Sequence, residues 1–207
     1  DSAEAVLRGY GLEPDIVVAI DASPFSANQL AFTPPRDQTI RLTNPVVTPA
    51  LFDQSDLVLL RHHPLEQLLV QFLGIEPLFL PGNHVGSVAL ELGRALRPQE
   101  IWIAGMDLSF ARGVTYGQPS MYHSLFLRRQ KRLSSLESQA MEQIQRSFAY
   151  ALPLSENPGG ELLYRRHSLD QGLAELKESL MARHESSEAT QIYFCHLPAP
   201  IARELNQ

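Results

Sequence analysis

Gly82, Asn83, Gly86 and Ser87, followed further on by Gly105 and Asp107, are the residues whose types and spacing best suit chemistry. Small side chains in GNHVGS let a ligand approach backbone N–H groups where a helix begins. Those N–H groups lack partners within the helix and carry positive partial charge, which makes the turn a natural anion site. Asp107 comes just after the apolar run Ile101–Ala104, at the strand end where open α/β sheets hold ligands. Asp21 repeats the arrangement behind Ile16–Ile20, with Ser23 and Pro24 supplying a helix-start signal. It serves equally well as a turn or capping aspartate. The glycines match neither the dinucleotide fingerprint nor the phosphate loop with Lys and Ser/Thr, so spacing alone leaves the ligand open.

The elements that must position these residues follow from periodicity. Ala3–Tyr10 reads as the end of a helix closed by Gly11, and Pro14 bars its continuation. Strands are expected at 16–20, 39–42, 57–60, 78–80 and 101–104. Helical segments are expected at 25–30, 44–52, 65–73 and 85–97. Val85, Val88, Ala89, Leu92 and Leu96 make one apolar stripe, and Ile101–Ala104 reads as a parallel strand buried on both faces. The alternation predicts an α/β fold: a Rossmann-like open, mainly parallel sheet with helices on both faces.

Beyond Phe110, ARGVTYGQPSMYHS reads as a loop leaving the ligand edge, and loops there often carry function. A long helical region through Phe126, Leu136 and Ile144 is expected to reach Tyr150, with a break near Ser134 and Ser135. Leu169–Arg183 is an amphipathic helix, and Ile192–Cys195 a last strand. Residues 1–165 are thus expected to form a nucleotide-binding core and 166–207 a helical C-terminal extension. His62 and His63, adjacent after a strand, point to opposite faces and make a poor metal pair. Arg128, Arg129, Lys131 and Arg132 could meet a phosphate or an anionic sugar, or form a solvated helix face.

Composition narrows the class. Hydrophobic residues at 44% and charged residues at 19% suit a globular chain with a real core. A net charge of −6 argues against a general nucleic-acid binder. The single cysteine, Cys195, excludes an internal disulfide framework. No apolar run approaches spanning length and no signal peptide leads the chain, so the expectation is a cytoplasmic protein without nucleic-acid or membrane partners. The start at Asp1 suggests an excised or processed fragment.

Three stretches, PDIVVAIDASP, Gly82–Phe110 with its IWIAGMDLSF ending, and ENPGGELLY, resemble in order and spacing the Maf-type motility accessory proteins that glycosylate flagellin. Archaeal 6-hydroxymethylpterin diphosphokinases belong to the same superfamily. The Gly-x-Asp element is also similar to that of sialyltransferases using CMP-activated nonulosonic acids. The resemblance covers roughly residues 12–165. It implies that Gly82, Asn83, Gly86 and Ser87, with Asp21 and Gly105, line a nucleotide, and that Asp107 sits by the sugar or ribose. Tyr116 and Tyr122 would assist the leaving phosphate, with His123 as general base. A CMP-sugar donor and a flagellin-like acceptor are the implied partners, and no cofactor is required. The superfamily's Gly-x-Gly-Pro-Ser-Leu loop is absent from this sequence, which implies an N-terminally truncated fragment. In the diphosphokinase alternative, Asp21 and Asp107 would hold Mg²⁺ against ATP phosphates. A nucleotide-binding or interaction module without catalysis is the third expectation.

Overall fold

The structure is a computed structural model. It describes residues 2–21, 38–45, 47, 49–53, 55–60, 64–74, 78–79, 82–111, 120–146, 150–151, 163–181 and 190–195. Elements are numbered among these residues. The chain divides into two compact units: Asp1–Val88 with Tyr116–Leu125, and Ala89–Thr115 with Phe126–Gln207.

In the first unit, helix α1 (Ser2–Gly9) precedes strands β1 (Ile16–Ala19) and β2 (Ile40–Thr43). Helix α2 (Pro49–Phe52), strand β3 (Leu57–Leu60), helix α3 (Pro64–Leu73) and strand β4 (Leu78–Phe79) follow. The strands form a parallel sheet in the order β1-β2-β3-β4, with Ile16 opposite Ile40 and Leu42 opposite Leu57. Parallel neighbours need a crossover, which contains α2 between β2 and β3 and α3 between β3 and β4. Val17, Val18 and Ala19 of β1 and Leu42 of β2 are buried, as a parallel sheet with covered faces requires, although β1 stands at the end of the described strand order. α1 ends where expected: Gly11, at φ +75°, donates its N–H to Arg8 O at 2.9 Å.

β2 also carries a charge inward. Arg41 is only 3% exposed, and its guanidinium donates two hydrogen bonds to the Glu4 carboxylate of α1, at 3.2 and 3.0 Å. Arg8 Nη2 lies 2.8 Å from the same carboxylate. Bidentate geometry makes such a pair strong and directional, so it fixes α1 against the sheet.

Helix α4 (Val85–Ala95) crosses the boundary between the units. The second unit then holds β5 (Glu100–Ile103) and β6 (Phe110–Ala111), and receives the end of α5 (Met121–Arg129). It continues with α6 (Leu136–Arg146), β7 (Tyr150–Ala151), β8 (Leu163–Arg165), α7 (His167–Met181) and β9 (Gln191–Phe194). β5 and β9 pair in parallel, while β6, β8 and β7 form an antiparallel sheet. Leu90, Ile103, Leu108, Leu173 and Leu176 make the core, joined by Ile101, Met106, Ile192 and Phe194. The apolar stripe of α7 therefore lands on the β5–β9 pair. Arg94 of α4 donates to the Ser179 carbonyl of α7 at 2.7 Å and ties the two helices.

The described strands thus lie in parallel sheets and one antiparallel sheet, consistent with α/β, rather than in a single open sheet. Three local expectations need correction. β5 is not buried on both faces: it alternates, and Trp102 is 62% exposed, stacked on Tyr193 of β9 with ring centroids 4.5 Å apart. A strand with helices packed on one face only needs apolar residues at every second position, and a run of four cannot distinguish the cases. The helical region does not reach Tyr150, which lies in β7. The loop expected up to Ser124 ends earlier, because the Ser120 hydroxyl accepts the His123 N–H at 3.2 Å and caps α5.

Trp102 is the sole tryptophan of the chain. Its exposure predicts that acrylamide quenches the native fluorescence nearly as well as that of the unfolded chain. Strong protection in a quenching titration would mean that this face is covered.

Candidate functional site

The carboxyl edge of the four-stranded parallel sheet gathers the candidate groups of the first unit. Asp21, beyond β1, is exposed. Directly after β2 stands Asn44, fully buried, whose Nδ2 donates to Ile20 O at 3.4 Å and so links the ends of β1 and β2. The Asn44 Oδ1 has no hydrogen-bond partner. Beside it the buried Thr43 hydroxyl hydrogen-bonds that of Ser55.

After β4 the chain turns into α4. Gly82 has φ +111°, a backbone conformation open to glycine and costly for any residue with a Cβ. His84 is the N-cap: its carbonyl accepts the Val88 N–H at 3.1 Å and its ring Nδ1 accepts the Gly86 N–H at 3.2 Å. With Nδ1 an acceptor, the neutral ring carries its proton on Nε2. Ser87 is 3% exposed and its Oγ is without a partner. An unsatisfied buried hydroxyl costs about 1–3 kcal/mol, and side chains of a first helical turn lean back toward its N-terminus. A phosphate or ribose oxygen at the turn could meet that hydroxyl and the helix's positive end together.

The other predicted residues fall elsewhere. Gly105, at φ +71°, and the half-buried Asp107 belong to the second unit. The Asp107 carbonyl accepts the Ser109 hydroxyl at 3.1 Å. The Gly82 turn belongs to the first unit. The sequence order suggested one continuous sheet, but β5 pairs with β9 instead. His123 is half-buried on the first turn of α5, in the first unit, and Tyr122 precedes it there. Tyr116, His62, His63 and most of ENPGGELLY lie outside the described residues. Among the described residues no cluster of three metal-type side chains occurs.

Comparison with family models, curated proteins and solved structures gives no match.

Asn44 and His84 are groups that sequence reasoning passed over as parts of the site. Asn44 with Pro45 signals a helix start. Its carbonyl instead accepts the Val47 N–H at 3.2 Å in a turn, and the helix begins at Pro49. The signal for both residues was position: each follows a strand of the parallel sheet, where a polar side chain reaches the ligand edge.

Gly82→Ala forces a Cβ onto a φ of +111°. It should cost about 1–3 kcal/mol, displacing the turn or lowering stability. Thermal melts of the variant with and without nucleotide measure both effects.

Proposed function

We propose that the chain is a Rossmann-like, nucleotide-dependent transferase domain acting in the cytoplasm. It moves a nonulosonic acid from a CMP donor to a Ser or Thr hydroxyl of a flagellin-like protein. The observation that carries the nucleotide part is the turn into α4, with Gly82 at φ +111° and the buried, unpartnered Ser87 Oγ at a helix N-terminus. The sugar and acceptor rest on the resemblance of PDIVVAIDASP and IWIAGMDLSF to the Maf-type proteins.

In this reading the acceptor oxygen attacks the anomeric carbon as the bond to the CMP phosphate breaks. His123 accepts the hydroxyl proton, a role that an imidazole ring nitrogen can fill. The departing phosphate gains charge, which the α4 N-terminus and, as the resemblance implies, Tyr116 and Tyr122 stabilise as hydrogen-bond donors. Asn83, Gly86 and Ser87 hold the nucleotide, with Asp21 in the same unit, while Gly105 and Asp107, of the second unit, keep only the role that the resemblance implies. Mg²⁺ is not needed for these steps.

Calorimetric titration with CMP and with ATP, each with and without Mg²⁺, tests the reading. Magnesium-independent CMP binding, weakened about tenfold or more by Ser87→Ala as expected for a hydrogen bond to a charged group, supports it. ATP binding that requires Mg²⁺ would replace it with pyrophosphoryl transfer to a hydroxymethylpterin. Full transfer activity in Asp107→Ala would remove that residue from the site.

A further inference from the structure

The segment joining α5 to α6 is unlike the rest of this acidic chain. α5 ends on Arg128 and Arg129, and Gln130 N–H bonds back to Leu127 O at 3.2 Å. Lys131 and Ser134 then exchange both backbone hydrogen bonds, at 3.2 and 3.0 Å, which closes a two-residue turn with Arg132 and Leu133 at its tip. Leu133 is 95% exposed and Leu127 is 47% exposed. Arg128, Arg129, Lys131 and Arg132 are all exposed, and none forms an ion pair among the described residues. The whole segment lies within the second unit.

A leucine exposed to 95% adds nothing to the core, so its apolar surface is available to a partner alone. The basic side chains that precede it can lay their methylene stems along an apolar surface while their heads stay in a polar layer. We propose that Leu127–Ser134, with Leu133 at a hydrogen-bonded tip among Arg128, Arg129, Lys131 and Arg132, docks the protein on an anionic lipid surface.

Charge complementarity and shape select this occupant. A phosphodiester backbone would satisfy the cations but offers the leucine no apolar receiver, and the segment has no aromatic ring on which bases could stack. A protein partner would need a cavity matched to a convex tip, whereas the boundary between headgroups and acyl chains accepts one as it is. One apolar anchor holds a membrane only marginally, and a basic cluster supplies the second attraction that stable anchoring takes. The expectation of no membrane partner rested on the lack of a spanning segment. Among the described residues no helix is long and apolar enough to cross a membrane, and a contact from one side requires none. Opposing it are the exposed Glu137 at the start of α6 and the chain's net charge of −6, so the attraction is local to the turn. The inference is independent of the proposed transferase chemistry.

Co-sedimentation of the full chain with vesicles of equal parts phosphatidylcholine and phosphatidylserine tests it, against pure phosphatidylcholine. Binding is expected to the mixed vesicles alone and to fall as salt rises. The pair R128Q/R129Q should weaken it about twenty-fivefold, about fivefold for each cation. Leu133→Ser should weaken it about tenfold, since insertion buries part of one leucine. Both changes lie on exposed positions, and unchanged thermal melts would confirm that the fold is intact. Leu133→Trp, made with Trp102→Phe, should shift its emission to the blue on mixed vesicles. No sedimentation at low salt would overturn the proposal, as would binding that ignores both changes. It would also fall if polyglutamate or a single-stranded oligonucleotide bound as tightly as the vesicles and without regard to Leu133→Ser.

Discussion

Arg41→Ala is expected to lower the stability of the chain by about 3 kcal/mol, the lower end of the range for breaking a buried ion pair from one side. The loss arises on Glu4, which is 2% exposed and would keep its negative charge where water cannot reach it. Arg8 still faces that carboxylate, which sets the lower end. Replacing Glu4 and Arg41 together by leucine and methionine should restore part of the loss, because neither of these two charges then remains buried while Arg8 loses the Glu4 carboxylate it faced. Urea denaturation of both single variants and the double variant measures the coupling. A loss below about 1 kcal/mol in Arg41→Ala would show a pair behaving like an exposed one, with water admitted to Glu4.

Leu176→Ala should cost about 2–5 kcal/mol, the transfer term of the lost side chain plus the cavity that remains. Leu176 is 0% exposed and stands in the core with Leu90, Ile103, Leu108 and Leu173. This core lies in the second unit and contains β5 and α7, so the two parallel strands β5 and β9 lose support first. Amide hydrogen exchange should accelerate at Cys195, whose N–H bonds to Ile103 O at 2.9 Å, more than in the β1–β2 ladder. Leu180→Ala, half-buried on the same helix, should cost less. Equal losses at the two positions would mean that the helix face is turned from the orientation described above.

α6 illustrates a smaller, local effect. The Ser135 hydroxyl accepts the Ser138 N–H at 3.2 Å, and Glu137 has its pKa lowered by its own backbone N–H and by Ser135. A depressed carboxylate stabilises the native state above its unfolded pKa, so this contribution fades as pH falls through the acid range.

Much of this architecture could be read from local patterns, because they reflect forces within a few residues. The β-branched run at Ile16–Ala19 is a strand because branched side chains suit a pleated, buried surface. Leu173, Leu176 and Leu180 recur at helical spacing, and α7 buries the first two. Gly11 closes α1 with a positive φ, as its position after the last apolar residue of the helix implied. The turn into α4 was visible for the same reason: glycine, serine and the onset of an apolar stripe all bear on one backbone turn.

Pairing over long distances was decided by the folded molecule. Nothing near Trp102 announced that β5 would join β9, more than eighty residues away, and leave one face open. Which strand a short apolar run meets depends on the whole set of competing strands and on the helices that cover them. For the same reason the sequence order that seemed to join Asp107 to Gly82 did not place them in one unit. Arg41 shows the converse. A charge in a strand reads as solvent-facing until Glu4 of a distant helix is folded over it, when one bidentate pair of hydrogen bonds makes the burial tolerable. Local sequence therefore determined helices, strands and the turn into α4, through propensity and capping. Tertiary packing determined which strands meet, which charges are buried and which residues share a site, because those depend on surfaces that form only when remote segments come together.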